Sequence, residues 1–292
     1  MKPLAAVLWG MGGDFSAYIN LVQALELRNE ITVMGITAAH IPFKKVYGYQ
    51  TLSKTAVSRM NMDLIIVMTD ALYLQIESEI LGMGIQAGVI PCRVLAIPGF
   101  KIREYLDVKN DIPTYFSVNC WAGLLYHRLR LPFCSPIINM FIAEKDYLKF
   151  LKDPKIYLEA ELEQKRTGYD EYLDREYPIA LCKDIELHMN HYDSFILAKS
   201  KWEERKVRIN WNRIIVMMYT EDQGVAEEFS ALPYEKKMCF VPFDLELKGV
   251  CKIELAGQNS LFFEVVNGIV SGRYQYYDIL KLAKGEIKKV VE

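Results

Sequence analysis

One of the six cysteines of this chain occupies a position that could make a thiol reactive. Cys120 follows the apolar run Tyr115-Phe116-Ser117-Val118 and precedes Trp121 and AGLLYHRLRL, whose apolar positions recur at helical spacing. It therefore falls where a predicted strand hands over to a helix. Backbone N–H groups and the helix dipole at such a junction lower a thiol's pKa, and the thiolate is the nucleophilic form. The competing expectation is an inert thiol in a core-facing turn, because free cysteine is among the most buried residue types.

A base for that thiol must come from few candidates. The chain has four histidines, two of them within DIELHMNHY. The segment alternates strictly, with Asp184, Glu186, His188 and Asn190 on one face of a strand and Ile185, Leu187 and Met189 on the other. His191 follows at opposite parity. If the polar face looks into a cleft, His188 or His191 can serve as general base; if it looks into water, the segment is an ordinary half-buried strand. Asp184, Glu186 and His188 are also a possible ligand set for a divalent metal. Asp222, in the loop Thr220-Glu221-Asp222-Gln223-Gly224 after an apolar strand, can orient the base, giving the order Cys120, His188 or His191, Asp222. Its structural alternative is to cap the next helix. Lys201, Arg205 and Arg208 recur at helical spacing beside Trp202 and Trp211, a set suited to a substrate carboxylate or phosphate, or simply to a solvated basic face.

Those residues must be carried by an α/β scaffold. A strand over residues 4–9 runs into Gly10, Gly12 and Gly13 and then a helix; strands at 31–36, 64–68 and 88–91 alternate with helices, which predicts a parallel sheet. The Pro- and Gly-punctuated stretch 98–113 has little periodicity and suggests a boundary, giving domains 1–108 and 109–292. The second domain restarts the pattern: a strand at 115–118, helical spacing at 146–152, a charged, Tyr-rich helix or surface excursion over 154–177, strands at 178–182 and 184–190, a charged helix at 196–208, and strand, helix and strand at 214–219, 225–232 and 238–241. A final helix is expected over 276–289.

The glycines after the first strand have the geometry of a Rossmann-type turn, where a pyrophosphate approaches the backbone at a helix N-terminus. The match is partial. No acid closes the second strand, which ends in Thr37-Ala38-Ala39-His40, and the Asp14 carboxylate would repel phosphate or itself cap the helix. NAD is not expected. A turn serving tight packing is favoured, and a nucleotide or nucleotide sugar at Gly10, Gly12 and Gly13 is the ligand that would make it a site.

Composition narrows the class further. With 35 basic and 37 acidic residues the formal charge is −2, so there is no basic field for sequence-independent nucleic-acid binding. Hydrophobic residues at 51% and charged residues at 25% fit a packed globular chain. The apolar runs fall far short of the ~20 residues of a membrane span, and the opening MKPLAAVLWGMGG lacks a cleavage pattern, so a cytoplasmic protein with reduced thiols is expected.

Two resemblances extend this reading. WGMGGDFSAYINLVQAL and MDLIIVMTDALYLQIESEILGMGIQAGVIP resemble the small Rossmann-like N-terminal domain of bacterial sugar acetyltransferases that hold a nucleotide sugar, over about the first hundred residues. FSVNCWAGLLYHRLRLPFCSPIINMFIAEKDYLKFL, DIELHMNHY, KWEERKVRINW and the strand ending at YTEDQG resemble an uncharacterised bacterial family often labelled exopolysaccharide-biosynthesis proteins, over roughly residues 112–242. Asn119, Cys120, Trp121, Glu186, His188, His191, Tyr192, Trp202, Arg205, Arg208, Ile209 and Asn210 match its recurring motifs, with Ala122 where a second glycine is usual. The resemblance implies cell-surface glycan assembly, with substrate contacts from Asn119, Trp121, Glu186, Trp202, Arg205 and Arg208. The expected activity is transfer of an acyl or similar group through Cys120 to a sugar or nucleotide sugar; the alternative is a non-catalytic protein that binds an anionic sugar or nucleotide sugar.

Overall fold

The computed structural model describes residues 2–40, 43–171, 174–253, 262–271 and 276–290. The chain divides into two compact units, Met1–Leu106 and Asp107–Glu292. Both are α/β.

In the first unit, β1 (Leu4–Trp9) leads through the glycine turn into α1 (Gly13–Leu27), then β2 (Ile31–Thr37). A small hairpin, β3 (Lys45–Val46) and β4 (Tyr49–Gln50), and the short α2 (Lys54–Val57) precede β5 (Leu64–Val67), α3 (Tyr73–Gly82), β6 (Gly88–Pro91) and a 3-10 turn at Cys92–Ala96. The four longer strands form a parallel sheet in the order β2-β1-β5-β6. All four residues of β5 are buried, as expected of a strand flanked by neighbours and covered on both faces. Counted among parallel strands alone, the order is 2-1-3-4, which reverses direction between β1 and β5. Helix α4 (Ile102–Asn110) crosses the division between the units in the segment expected to be irregular. Its signal is an apolar face at three-residue spacing, Ile102, Tyr105 and Val108, all buried.

The second unit combines two sheets. A parallel one has the order β14-β13-β12-β7, from β7 (Thr114–Ser117), β12 (Ile214–Tyr219), β13 (Lys236–Val241) and β14 (Val250–Lys252). Between β7 and β12 the chain builds α5 (Trp121–Arg128), β8 (Phe141–Ile142), α6 (Glu144–Lys152), α7 (Pro154–Glu159), β9 (Glu163–Asp170), β10 (Arg175–Cys182), β11 (Ile185–His188) and α8 (Phe195–Lys206). Its strands form an antiparallel sheet in the order β8-β11-β10-β9. Helix α9 (Gln223–Ala231) joins β12 to β13; α10 (Phe262–Ser271) packs against α5, and α11 (Ile279–Ala283) follows. One buried cluster unites the unit, taking Phe116 and Val216 from the parallel sheet, Leu187 from β11 and Trp202 from α8.

Two expectations are corrected here. Residues 163–170 form a strand rather than a surface helix or excursion; β9 is exposed along most of its length and sits at the sheet edge, where charge on both faces deters further pairing and removes the period-two apolar signal. The last helix is only five residues long, because Gly285 turns to φ +71° and the chain doubles back to pair Lys289 with Tyr277. All six thiols are unbridged. Among the described residues no helix is long and apolar enough to cross a membrane.

Candidate functional site

A cavity of about 920 Å³ lies in the second unit. It opens at the carboxyl ends of β7 and β12, through Cys120 and Tyr219, and is completed by the antiparallel sheet, through Phe141 of β8, Asp170 at the end of β9, and Asn190 and His191 just past β11. Sites in α/β sheets form at such strand ends, where loops diverge from a rigid edge. Glu144 opens α6 and Asn267 reaches the same cavity from α10.

The turn at Cys120 is built by side chains on either side of it. The Ser117 hydroxyl donates to the Asn119 carbonyl at 2.5 Å and accepts from the Ala122 N–H at 3.2 Å, while the Asn119 Oδ1 accepts from the Trp121 N–H at 3.1 Å. These bonds engage the N–H groups of Trp121 and Ala122, two of the first donors of α5, which are then not free to stabilise a thiolate. Cys120 occupies the N-cap without a side-chain capping bond. Burial pushes its thiol above the ordinary 9.0, against a weaker contribution from its own backbone N–H. The expected helix-terminus activation is therefore outweighed by desolvation, and the resting group is a neutral thiol.

Both sequence histidines are shifted down, but they sit in different places. His191 lines the cavity with Cys120, and its backbone N–H donates to the Asn139 backbone carbonyl at 3.4 Å. Burial and then the Arg175 guanidinium lower its pKa below 6.5, while the Asp170 carboxylate opposes them. Asp170 lines the same cavity and accepts from Asn190 Nδ2 at 3.3 Å. His188 does not line it. Its ring stacks on Phe141 with centroids 4.3 Å apart, its Nδ1 meets the Tyr177 hydroxyl at 3.1 Å, and burial lowers its pKa. Between the two candidate bases, the cavity takes His191, the one of opposite parity, because the chain turns just beyond β11.

Several expected site residues have structural partners elsewhere. Asp222 caps α9, its Oδ1 accepting from the Val225 N–H at 3.0 Å, and it does not line the cavity. Asp222→Ala is expected to cost about 1 kcal/mol of stability, in the usual range for a lost N-cap, with Cys120 reactivity at neutral pH unchanged; chemical denaturation and thiol labelling check both halves. Glu186 pairs with Lys165 and Arg166, and Asp184 with the Tyr157 hydroxyl and Lys149, so these carboxylates are already engaged. Among the described residues no group of three His, Cys, Asp or Glu is arranged to hold a metal. Trp121 and Trp202 are fully buried. Arg205 is buried too, donating to the Tyr192 hydroxyl at 2.6 Å with its guanidinium 5.2 Å from the Phe133 ring, and Arg208 is ion-paired with Glu204. None of these four lines the cavity; Trp121, Trp202 and Arg205 are packed inside and Arg208 lies in a surface ion pair. Asn119 alone of the non-catalytic set lines the cavity.

Sequence reasoning missed Glu144, Asp170, Asn139 and Asn267. Burial raises the Glu144 pKa, with Asp222 and Glu221 adding to the shift and a bond from the Thr220 hydroxyl opposing it. No spacing pattern links these residues, since the antiparallel insertion brings distant segments together.

In the first unit, Gly10 needs to be glycine, because its φ is +106°. At Gly12 and Gly13 an added Cβ would meet nothing within 4 Å, so close packing does not account for them. Asp14 makes no side-chain cap to its own helix; its Oδ2 accepts from the Asp70 N–H at 2.8 Å, bridging the turn after β1 to the end of β5.

Comparison with known proteins agrees with the two-part organisation. Residues 4–90 match a C2185-like N-terminal domain, and residues 92–282 match a domain of unknown function, DUF1919. An uncharacterised protein of Haemophilus influenzae is 32% identical over 147 residues, covering 48% of this chain and 68% of that protein. Among solved structures, aspartate semialdehyde dehydrogenase II complexed with ASA from Vibrio cholerae aligns over 80% of this chain and 78% of that one, at 8% identity and a TM-score of 0.25, a level that carries no argument. Because the second match spans more than half of the chain, the protein belongs to the DUF1919 family.

Proposed function

We propose that the second unit is a cysteine-dependent acyl or group transferase acting on a sugar or sugar nucleotide in cell-surface polysaccharide synthesis. The observation that carries this reading is that Cys120, His191 and Asp170 line one cavity at the carboxyl edge of a parallel sheet. Desolvation moves the thiol up and the imidazole down, so the pair rests neutral, and the proton moves only when the sulfur attacks. In the first half-reaction the Cys120 sulfur bonds to the acyl carbon, the imidazole takes the thiol proton, and the leaving group departs with it. In the second, a sugar hydroxyl gives its proton to the imidazole and attacks the thioester, releasing an ester and restoring the thiol. Asp170 favours the protonated imidazole that forms in between. The pathway assignment draws support from the motif resemblance at Asn119 to Trp121, Glu186 to Tyr192 and Trp202 to Asn210.

The test is capture of the intermediate. Full-length protein incubated with p-nitrophenyl acetate at neutral pH is expected to carry one hydroxylamine-labile acetyl group, mapped by mass spectrometry to the peptide containing Cys120. Labelling spread evenly over the thiols, or absent from Cys120, would overturn the transferase and leave a binding protein.

A further inference from the structure

The chemistry of the cavity wall specifies what it accepts. Among the described residues eighteen line it, and none of these is a lysine or arginine. Its ionisable members include two carboxylates, Glu144 and Asp170, and two imidazoles, His127 and His191. Four asparagines contribute amide groups: Asn119, Asn139, Asn190 and Asn267. A cavity built for phosphate or carboxylate is usually lined by lysine or arginine, whereas the described wall sets two carboxylates against an anion.

Two of the four amides have a buried atom with no partner. Asn119 is only 6% exposed; its Oδ1 is engaged by Trp121, and its Nδ2 has no hydrogen-bond partner. The Oδ1 of Asn267 has none either. Buried polar atoms are nearly always paired, and an orphan donor beside one cavity and an orphan acceptor beside the same cavity fit a ligand that presents both functions. A hydroxyl does so with one oxygen, and an acetamido group does so with its N–H and C=O. The amide torsion is soft, so a small rotation turns either group to an incoming partner. Phe141 and Tyr219 add apolar ring surface to the same wall.

We infer that this cavity binds the neutral, hydroxyl- or acetamido-bearing ring of a sugar, held by Asn119 and Asn267, and excludes anionic sugars. The inference rests on the proposed sugar substrate and narrows it: a uronic acid or sugar phosphate does not occupy this cavity, and any phosphate carried by a donor lies outside it. The anionic-sugar alternative drawn from the basic helix loses its basis, because Arg205 is buried against Tyr192 and Phe133 and Arg208 is paired.

Saturation-transfer NMR on the full chain, without acyl donor, tests this with four probes: glucose, N-acetylglucosamine, glucuronate and glucose 1-phosphate. A neutral sugar is expected to bind at least about tenfold more tightly than its anionic counterpart. Asn119→Asp retains the acceptor for Trp121 and replaces the orphan donor with an anion, so it should abolish binding of the neutral sugar. Asn267→Ala, at a separate element, should weaken it about tenfold or more, the usual cost of deleting one partner of a buried hydrogen bond. Glu186→Gln, on the ion-paired face outside the cavity, should not alter it. Tighter binding of glucuronate or glucose 1-phosphate, binding indifferent to both asparagine variants, or no binding of any probe would overturn the inference. Because no acyl donor is present, this result is independent of thioester capture at Cys120: capture with anionic preference sinks the ligand assignment alone, and neutral-sugar binding without capture sinks the transferase alone.

Discussion

Replacing His191 with asparagine is expected to slow acylation of Cys120 by about one hundred- to ten-thousand-fold at neutral pH, the range a positioned general base contributes. The size follows from the state of the thiol. At an ordinary pKa of 9.0 about 1% of a thiol is ionised at pH 7, and burial leaves Cys120 with less than that. A wild-type rate driven by the thiolate would climb with pH through and beyond 9. A rate driven by the neutral pair instead needs only that the imidazole be unprotonated. His191 is lowered below 6.5 by burial and by Arg175, with Asp170 opposing. The wild-type profile should therefore rise through a midpoint below 6.5 and hold a plateau across neutrality, where an exposed thiol would still be climbing. His191→Asn should lose the plateau and regain rate only in the alkaline limb. Glu144 and Tyr219, which line the same cavity and whose pKa values burial raises, bring no positive charge that would favour early ionisation of the thiol. Thioester formation followed in single turnover from pH 5 to 10 decides the matter. A wild-type profile with no plateau would remove His191 from the chemistry.

The parts of this site that were legible from sequence are those fixed by local rules. A strand-to-helix handover places Cys120 at the N-cap of α5, and strict alternation puts Ile185, Leu187 and Met189 in the core. Alternation also made His188 and Glu186 look like the functional face, since the same polar parity describes a cleft wall and an ion-paired surface; only the edge strand β9 beyond β10, with Lys165 and Arg166, distinguishes them. That strand has no apolar periodicity to announce it. The pKa direction at Cys120 was beyond sequence for a related reason: Ser117 and Asn119 consume the helix N–H groups, and neither residue advertises which donor it will take. Asp170 rather than Asp222 shares the cavity with His191 because β9 ends there, whereas Asp222 begins a helix and caps it. Local signals thus located Cys120 at the start of α5, while the composition of the cavity depended on an antiparallel insertion whose pairing is long-range.

Trp202→Ala is expected to destabilise the second unit by about 3–5 kcal/mol, the cost of deleting a large aromatic from a packed core. Trp202 is fully buried in the cluster that holds Phe116, Leu187 and Val216, so it helps join the parallel and antiparallel sheets that form the cavity's two sides. A domain's whole stability is only about 5–15 kcal/mol, so the loss brings the unit near unfolding at moderate temperature. The indole N–H has no hydrogen-bond partner, which gives a second expectation. Trp202→Phe removes that stranded donor along with part of the ring; relief of the unpaired donor, about 1–3 kcal/mol, offsets much of the lost packing. The net cost should stay below about 1.5 kcal/mol. Urea unfolding of the two variants, with hydrogen exchange of the β12 amides marking this unit, measures the difference. Were Trp202 a substrate contact instead, the alanine variant would keep its stability within about 0.5 kcal/mol and lose ligand affinity, the reverse of the pattern expected from a side chain that touches only the core.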